Sequence, residues 1–399
     1  MTFVGPIRSE DLNDLVRALL DAAGADSDDA RLVAEQLVDA EARENRGQGL
    51  IRLRPYVTWM RNGKIASPAK LTVERQFGVT LLLDGGNGWG QVVTAKAMTM
   101  CVERAQEHGV CLALVRNANH IGRLGYYVEA AAGDGFVGLV ACSGHPSSAW
   151  VAPWGGTKPI FGTNPIAFGF PRKDCPPVVV DLSTTQGSRG AVLLAAKSGK
   201  LLPEGWAFDV TGNPTRDPSK ALPPHGTLAP LGGHKGYGLA LAVEILCGVL
   251  SGMWPPSGGA ILVGAVRVEA FQSLDDYHRS LEIQQIKDYV FKAQPCPTAI
   301  FALNDWLAVI ALQAIKQLDL KVPDAISVAG FDDIDLAVHL EVPLTTVAQN
   351  PFAIGKKAAQ LLLNRLATKV ADTKLEVIPT ELRIRSSTSR ILVDSLKEA

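Results

Sequence analysis

The chain has 399 residues, of which 47% are hydrophobic and 20% charged, and its formal net charge is -1. This length predicts two or three domains, and this composition excludes a largely disordered chain. A charge so close to neutral gives no electrostatic reason to expect nucleic-acid binding, and no apolar run is long enough to predict a membrane span. The six cysteines include no Cys-x-x-Cys pair, which predicts reduced thiols, a cytoplasmic protein and no metal site.

The first part of the chain is predicted to alternate helices with buried strands. Ser9 and Ser27 stand at the start of amphipathic patterns and predict two N-terminal helices. A third helix is predicted over Gln91–His108, and Gly109 is expected to end it. The predicted buried strands of this part are Leu81–Leu83, Val110–Val115, Phe136–Cys142 and Val178–Leu182.

The middle of the chain contains a long irregular stretch. Asp209–Gly233 is rich in Pro, Gly, Asp and Thr, and this composition predicts a loop or a lid. Gly236–Leu250 follows as a strongly apolar helix. Ser251 and Gly252, and then a cluster of Pro and Gly over 255–259, are expected to end that helix.

Beyond about residue 285 the pattern changes to strands and helices that alternate regularly. Thr298–Ala302 and Ile326–Phe331 are predicted to be buried strands. Asp305–Leu318 and Phe352–Leu366 are predicted to be helices. Such alternation is typical of βαβ units, so this part of the chain is predicted to form a parallel sheet.

Polar residues stand where predicted strands end and helices begin. His120 and Asp181 follow or end buried strands, and His234 and Lys235 open the apolar helix. A single residue of this kind is more often a structural hydrogen-bonding group. Three such places in one chain favour a functional site, since α/β proteins bind ligands at strand ends and helix starts. No Gly-x-Gly-x-x-Gly follows a strand, so a standard dinucleotide-binding fold is not supported.

Residues 1–281 resemble the malate/L-lactate dehydrogenase family, which includes ureidoglycolate, 2,3-diketogulonate and cyclic-imine reductases. The matching stretches are Gly49–Leu53, Arg116–His120, Ala152–Gly156, Gly162–Pro165, Asp181–Thr184, Pro203–Trp206 and Gly232–Gly238. The resemblance implies an α/β protein with that family's own nicotinamide-binding fold, built on a mostly antiparallel sheet. It also implies a homodimer, NAD or NADP as the cofactor, and a 2-oxo acid, a 2-hydroxy acid or a cyclic imine as the substrate.

The resemblance further implies roles for individual residues. Arg52 would pair with the substrate carboxylate, as a guanidinium fork does. Hydride would move between the nicotinamide and a keto or imine carbon, while an acid protonates the heteroatom. The implied catalytic positions are Gln48, Arg52, His120 and Asp181. The implied cofactor contacts are His120, Ile121, Gly122, Thr163, Asn164, Pro165, Asp181, Leu182, Ser183, His234, Lys235 and Gly236.

Two departures from the family pattern bear on activity. The family has Ser-His-Gly before its Leu-Ile-Arg run and uses that His as the proton donor, whereas this chain has Gly47-Gln48-Gly49. Because Gln48 does not titrate, it cannot act as an acid or base, and His120 is the candidate to replace it. The chain also looks short near 253–261 and lacks the family's last helices, so the reductase is expected to be truncated.

Residues from about 285 to 390 resemble the C-terminal lobe of lactose-repressor-type regulators. The matching stretches are Pro297–Asp305, Val322–Asp333, Leu344–Val347 and Glu381–Thr388. The resemblance implies a smaller βαβ lobe with a parallel sheet, in which Asp305 and Asp332 would contact a sugar. We favour a structural role for both, as helix caps, because the opposing lobe is not recognisable in the sequence.

These patterns predict a reductase domain over 1–281, a repressor-lobe fragment over 282–390 and a tail over 391–399. The main hypothesis is an NAD(P)-dependent oxidoreductase acting on a small-molecule 2-oxo or 2-hydroxy acid. One alternative is a binding module whose repressor-like lobe senses a sugar or mediates dimerisation. Another is a fusion or chimera of two fragments without a joint function. No DNA-binding helix-turn-helix is recognisable, so no nucleic-acid partner and no membrane partner are expected.

Overall fold

The computed structural model describes residues 7–144, 149–173, 175–253, 258–292, 296–368 and 376–389. The chain divides into two compact units, Met1–Leu274 and Asp275–Ala399, which are described separately below. The predicted tail over 391–399 lies outside the described residues, and so do residues 254–257 of the segment that was expected to be short.

The larger unit is built on a sheet of seven strands. Its strands, with three further short ones, are β1 (Thr72–Phe77), β2 (Thr80–Asp84), β3 (Val110–Ala118), β4 (Phe136–Ser143), β5 (Ile166–Phe170), β6 (Val178–Leu182), β7 (Ala207–Asp209), β8 (Pro214–Thr215), β9 (Gly226–Leu228) and β10 (Gly259–Arg267). The order in the large sheet is β1-β2-β3-β10-β4-β5-β6. Only β2 and β3 pair in parallel, which confirms the predicted mostly antiparallel sheet.

Helices cover both faces of this sheet. They are α1 (Ser9–Ala22), α2 (Ser27–Ala42), α3 (Leu53–Arg61), α4 (Gly90–His108), α5 (Gly125–Gly133), α6 (Arg189–Ser198) and α7 (His234–Val243). The main core joins α1, α2, α4 and α5 to one face, with Trp89 and Leu83 fully buried. The other face packs against Val243 and Cys247. Gly109 ends α4 in the left-handed region, at φ 81°, as the sequence predicts.

The predicted apolar helix over Gly236–Leu250 differs in detail. It is α-helical from His234 to Val243 and then continues as a π-helical turn over Glu244–Val249. Short π-helical stretches commonly occur at functional sites, because they shift the side chains that follow them. Glu244, the first residue of this turn, is buried.

The stretch predicted to be a loop or lid, Asp209–Gly233, contains two short strands of a small sheet, β8 and β9, and β7 reaches into it only at Asp209. Strands β7, β8 and β9 pair in the order β8-β7-β9, and both pairs are antiparallel. The prediction was wrong here because strands of two or three residues are too short for an alternating pattern to stand out among Pro and Gly. Ala207 and Leu228 bury their side chains in a core of their own, together with Phe161 and Leu202.

The smaller unit confirms the predicted βαβ pattern. Its strands are β11 (Ala299–Phe301), β12 (Ser327–Asp332), β13 (Thr345–Ala348) and β14 (Glu381–Arg383), and its helices are α8 (Leu274–Lys292), α9 (Asp305–Gln317) and α10 (Pro351–Thr368). Strand β12 pairs in parallel with both β11 and β13, whereas β14 is antiparallel to β13. Ile315, Ile326 and Leu344 are fully buried in its core. Within the described ranges, no helix has both the length and the apolar character that a bilayer crossing requires.

Candidate functional site

The larger unit contains a cavity of about 570 Å³ at the ends of β3, β4 and β10. Other segments contribute to its wall, among them residues 119–122 after β3, residues 162–165 before β5, residues 188–190 at the start of α6, and the segment around Arg52. A volume of this size falls within the range of small-molecule and cofactor pockets. The cavity is therefore the place to test the residues that the sequence suggested.

The structure brings part of the predicted site together around this cavity. The predicted residues that line it are Gln48, Arg52, His120, Ile121, Gly122, Thr163, Asn164 and Pro165. They come from three separate stretches of the sequence, and only the fold makes them neighbours. The matching motifs at 116–120 and 162–165 thus meet at one surface.

The other predicted residues are not part of the cavity wall. Asp181 and Leu182 lie at the end of β6, where the Asp181 carboxylate accepts a hydrogen bond from the Gly125 N–H at 2.8 Å. The Ser183 hydroxyl donates to the Thr185 carbonyl at 3.1 Å. These contacts stabilise the local backbone. The catalytic role of Asp181 and the cofactor roles of Asp181, Leu182 and Ser183 stay predictions.

His234, Lys235 and Gly236 begin α7, away from the cavity wall. His234 and Lys235 are exposed, and Gly236 is buried. The His234 ring stands edge-on to Trp154, with 6.2 Å between the ring centroids. A helix start with exposed polar side chains suits an anionic group such as a cofactor phosphate, so this role also stays a prediction.

His120 is held in one defined protonation state. Its Nδ1 atom lies 2.6 Å from the Tyr56 hydroxyl and accepts a hydrogen bond from the Gly122 N–H at 3.2 Å. Because an N–H can only donate, Nδ1 carries no proton, and the proton of the neutral ring sits on Nε2. Desolvation, and then the charges of Arg52 and Arg189, hold the pKa of His120 well below its usual 6.5. His120 therefore presents a neutral ring with an Nε2–H group at neutral pH.

Arg52 and Gln48 each have polar side-chain atoms without a hydrogen-bond partner among the described residues. The Arg52 side chain is 8% exposed, and its Nε donates to the Gly47 carbonyl at 2.8 Å. No described residue accepts a hydrogen bond from its two terminal nitrogens, and burial lowers the pKa of this guanidinium. The Gln48 Oε1 atom is also buried without a donor among the described residues. Buried groups of this kind normally have partners, so their presence indicates a ligand.

Asn164, which also lines the cavity, has the same property. Its side chain is 1% exposed, and its amide nitrogen donates to the Ala240 carbonyl at 3.0 Å and to Glu244 at 2.9 Å. Burial raises the pKa of Glu244. These two bonds fix the amide so that Oδ1 is left buried and without a donor among the described residues. The backbone at Asn164 is in the left-handed region, at φ 34°, a strain that is common at functional sites.

Sequence reasoning missed three residues of this site. Tyr56 is fully buried on α3, four residues after Arg52, and burial raises its pKa to about 12. Arg189 and Trp150 line the cavity, with the Arg189 guanidinium 4.6 Å from the centroid of the Trp150 ring. The helical spacing of Arg52 and Tyr56 was a usable signal for finding Tyr56, because residues four apart share one helix face. No sequence signal joined Arg189 to Arg52.

The two predicted sugar contacts of the smaller unit have protein partners. Asp305 is fully buried, and its carboxylate accepts hydrogen bonds from the Thr346 hydroxyl at 2.5 Å and from the Ile334 N–H at 2.9 Å. The cap of α9 is the neighbouring Asn304, whose side chain accepts from the Leu307 N–H at 2.8 Å. Asp332 accepts from Gln349 at 2.6 Å. These contacts agree with a structural role, although the bonding of Asp305 and Asp332 differs from helix capping.

Comparison with known proteins identifies the family of the larger unit. The family described as malate/L-lactate dehydrogenase matches residues 7–283, which is most of the chain. The chain belongs to this family. A periplasmic binding protein-like domain matches residues 263–388, which confirms the second resemblance. The malate/L-lactate dehydrogenase relatives are dehydrogenases and reductases, so this member is a nicotinamide-dependent oxidoreductase.

Individual relatives differ in what they act on. The chain is 35% identical to L-sulfolactate dehydrogenase of Methanothermobacter thermautotrophicus over 282 residues, which is 71% of this chain and 80% of that protein. It is 36% identical to a Δ1-pyrroline-2-carboxylate reductase of Burkholderia ambifaria, over 61% of this chain and 70% of the relative. The crystal structure of malate dehydrogenase from Entamoeba histolytica matches with a TM-score of 0.65 and 29% identity, covering 69% of this chain and 82% of that one.

Proposed function

We propose that this family member reduces a small 2-oxo acid to the 2-hydroxy acid, with NADH or NADPH as the hydride donor, in the cavity around Arg52 and His120. The observation that carries the proposal is that two groups line one cavity: a buried guanidinium without a carboxylate partner in the described part of the chain, and a neutral imidazole with an available N–H. The first fits a substrate carboxylate, and the second fits the adjacent keto oxygen.

Arg52 positions the substrate. Its terminal nitrogens form no bond with the described residues, so a carboxylate can accept two parallel hydrogen bonds from the guanidinium fork. The 92% burial of the side chain strengthens this pairing, because little water remains to screen the charges. A 2-oxo acid held in this way has its keto group next to its carboxylate, within the same cavity as His120.

His120 and Tyr56 move the proton. When hydride adds to the keto carbon, the keto oxygen becomes an alkoxide, which takes the proton from Nε2 of His120. Nδ1 then takes the proton of the Tyr56 hydroxyl, and the imidazole is neutral again. The resulting phenolate is the disfavoured form, since burial raises the pKa of Tyr56 to about 12, and the charge of Arg52 offsets only part of that rise. The substrate alkoxide is the stronger base, so the proton still moves toward it, and the phenolate takes a proton from solvent after the product leaves. Tyr56 thereby provides the proton that Gln48 cannot provide.

The residues present fit the nicotinamide group. The Oδ1 atom of Asn164 is a buried acceptor that suits the amino group of the carboxamide. Gly162 leaves the space beside it open, since a Cβ there would lie 3.0 Å from Oδ1. When bound, the cofactor supplies the hydride that this reaction needs. Thr163 and Pro165 complete that wall, and the choice between NADH and NADPH is left to experiment.

We also propose that the larger unit works as a homodimer in the cytoplasm and does not bind nucleic acid. The homodimer is supported by a group of partly exposed apolar side chains on α7 and the π-helical turn. This group consists of Leu241, Ile245, Leu246, Val249 and Leu250. Apolar patches of this kind are commonly covered by a partner subunit. Light scattering on the purified full-length chain tests the dimer directly.

The test of the proposed function has two steps. Binding of NADH and of NADPH to the purified full-length chain is measured first, by fluorescence and by thermal shift. Oxidation of the bound cofactor is then followed with a panel of 2-oxo acids, and with a cyclic imine carboxylate as the competing substrate class. Saturable cofactor binding followed by turnover of a 2-oxo acid supports the proposal. A folded sample that binds neither cofactor overturns it.

A further inference from the structure

A buried carboxyl group lies behind the part of the cavity wall that Asn164 forms. Glu244 is 7% exposed and is not itself among the described lining residues. Its Oε2 atom accepts a hydrogen bond from the Asn164 amide nitrogen at 2.9 Å. Burial raises the pKa of Glu244, that bond opposes the rise, and no described cation contributes to the balance. A buried carboxyl group normally has a cation as its partner, so one whose described side-chain partner is a single amide indicates a role other than ion pairing.

The helical segment around Glu244 directs two acceptors at the same amide group. Glu244 is the first residue of the π-helical turn that follows α7. Ala240, four residues earlier, accepts from the Asn164 amide nitrogen at 3.0 Å through its backbone carbonyl. Gly248, four residues later, leaves room for the carboxyl group, because a Cβ there would lie 3.3 Å from Glu244 Oε1. Both protons of the Asn164 amide are therefore directed away from the cavity.

The orientation of this amide decides what the cavity wall can recognise. A carboxylate and a carbonyl can only accept hydrogen bonds, so the NH₂ group of Asn164 must face them. The Oδ1 atom is then left as a buried acceptor without a donor among the described residues. An Asn164 amide turned over would instead present its NH₂ group. The wall would then bind the oxygen of a carboxamide, whereas with Oδ1 presented it binds the N–H.

We propose that Glu244 is a positioning residue that holds the Asn164 oxygen toward the cavity, so that the site selects a nicotinamide ring whose carboxamide carries an N–H donor. Glu244 acts through Asn164 and does not itself touch the cofactor. This inference rests on the proposed function, which puts the nicotinamide beside Asn164. It goes beyond that function because it assigns cofactor specificity to a residue outside the cavity wall.

The test uses two cofactor analogues and measures binding by calorimetry on the full-length chain. Acetylpyridine adenine dinucleotide carries a methyl ketone in place of the carboxamide and has no N–H, whereas thionicotinamide adenine dinucleotide keeps the NH₂ group. The corresponding NADP analogues are measured in the same way. The acetylpyridine analogue should bind the wild-type protein about 10- to 100-fold more weakly than the thionicotinamide analogue, because it leaves the buried Oδ1 atom unpaired.

Variants of Glu244 test whether it controls this preference. In Glu244→Met, which fills the buried space without an acceptor, the ratio of the two Kd values should fall by about tenfold. Ala240 still holds one bond, so part of the preference should remain. Glu244→Gln keeps an acceptor oxygen and should hold the ratio within about threefold of the wild-type value. Glu204→Met, a change at an exposed glutamate outside the cavity wall, is the matched control and should leave the ratio unchanged.

The outcomes separate this inference from the proposed function. Equal binding of the two analogues by the wild-type protein overturns the inference, even when a 2-oxo acid is turned over. A Glu244→Met variant that weakens both analogues equally shows a purely structural role and also overturns it. A chain that prefers the thionicotinamide analogue and loses this preference in Glu244→Met supports the inference. If that chain turns over no 2-oxo acid, the proposed function alone is overturned. A folded sample that binds neither analogue overturns both.

Discussion

The buried Asp305 of the smaller unit and the buried polar residues of the cavity in the larger unit differ in whether described residues satisfy their hydrogen bonds. In the smaller unit, Asp305 is fully buried, and both of its carboxylate oxygens accept hydrogen bonds from the protein. In the larger unit, Arg52 and Asn164 are also buried but leave atoms without partners among the described residues. A satisfied group stabilises the fold, whereas an unsatisfied group next to a cavity is available to a ligand. The difference separates structural residues from binding residues of the same chemical type.

Replacing Arg52 by Met is the strongest test of this contrast. The change removes the proposed carboxylate partner, and kcat/KM for 2-oxo acids should fall about 1,000-fold. Thermal unfolding should change little, since no described carboxylate depends on Arg52. Steady-state kinetics and a thermal melt give the two quantities. Arg54→Met, a change at an exposed arginine on α3 that does not line the cavity, is the matched control and should keep its activity. A loss of stability without a loss of activity in Arg52→Met would contradict the assignment.

Replacing Asp305 by Ala should instead lower stability and leave reductase activity unchanged. The Thr346 hydroxyl and the Ile334 N–H both lose their acceptor, and the free energy of unfolding of the smaller unit should fall by about 2–4 kcal/mol. Reductase activity measured at a temperature where both units are folded should be unchanged. Denaturant unfolding with a probe on the smaller unit measures the effect.

Asp332→Asn is the comparison for this change, because Asp332 is only partly buried and bonds one side chain, Gln349. Asp332→Asn should lower the free energy of unfolding of the smaller unit by less than about 1 kcal/mol. A variant of Asp305 that keeps its stability but loses binding of a sugar would show that the carboxylate is a ligand contact after all.

How much of this contrast the sequence could predict depends on how far apart in the sequence the interacting residues are. The stretch that ends with His120 and the stretch Gly162–Pro165 were recognised because each is a local motif, and both line the cavity. Arg189 was not recognised, because its relation to Arg52 depends on the backbone contact between Gly47 and Gly190, which only the folded chain shows. The hydrogen bond from the Thr346 hydroxyl to Asp305 likewise depends on strand pairing, which brings together residues about forty positions apart in the sequence.

The prediction of secondary structure from the sequence has the same limit. Long strands and helices with a clear period were predicted well. Val178–Leu182 has the same bounds in the structure, although none of its residues is buried as predicted. Strands β8 and β9 within Asp209–Gly233 were missed, since they have only two and three residues. Local patterns therefore predict elements and motifs, while the pairing of distant residues, which decides whether a buried group is satisfied, requires the structure.

Replacing Tyr56 by Phe tests whether the unusual state of His120 serves catalysis. The change removes the hydroxyl that bonds Nδ1, and kcat should fall about 10- to 100-fold with little change in KM. Phenylalanine fills the same buried space, so the fold should be kept. Tyr126→Phe, a half-buried residue of α5 outside the cavity wall, is the control.

The pH profile separates a catalytic role of Tyr56 from a structural one. His120 must be neutral, and its pKa lies well below 6.5, so wild-type activity should persist at neutral pH and be lost only as acid protonates the ring. The Tyr56 hydroxyl stabilises the neutral ring by donating to Nδ1. Its removal should raise the pKa of His120 and move the acid limb to higher pH. An acid limb that stays in place would show that Tyr56 does not control His120.

Replacing Gln48 by His should have the smallest effect of these changes, and it should raise kcat instead of lowering it. The Gln48 Oε1 atom is buried without a partner among the described residues, and the family resemblance implies a proton donor at this position. A histidine there restores a group that can donate a proton, but nearby guanidiniums lower its pKa just as they lower that of His120. The gain in kcat should therefore be about tenfold, at or below the lower end of what an acid–base group contributes.

Gln48→Asn is the matched control for this gain, because it keeps an amide and adds no titratable group. It should show no increase in kcat. Gln48→His should also leave the Kd for the cofactor unchanged, since the gain acts on the proton and not on binding. A folded Gln48→His variant that binds cofactor but reacts no faster would show that Tyr56 and His120 already deliver the proton fast enough. The rate would then be limited by another step, and the departure from the family at this position would carry no catalytic cost.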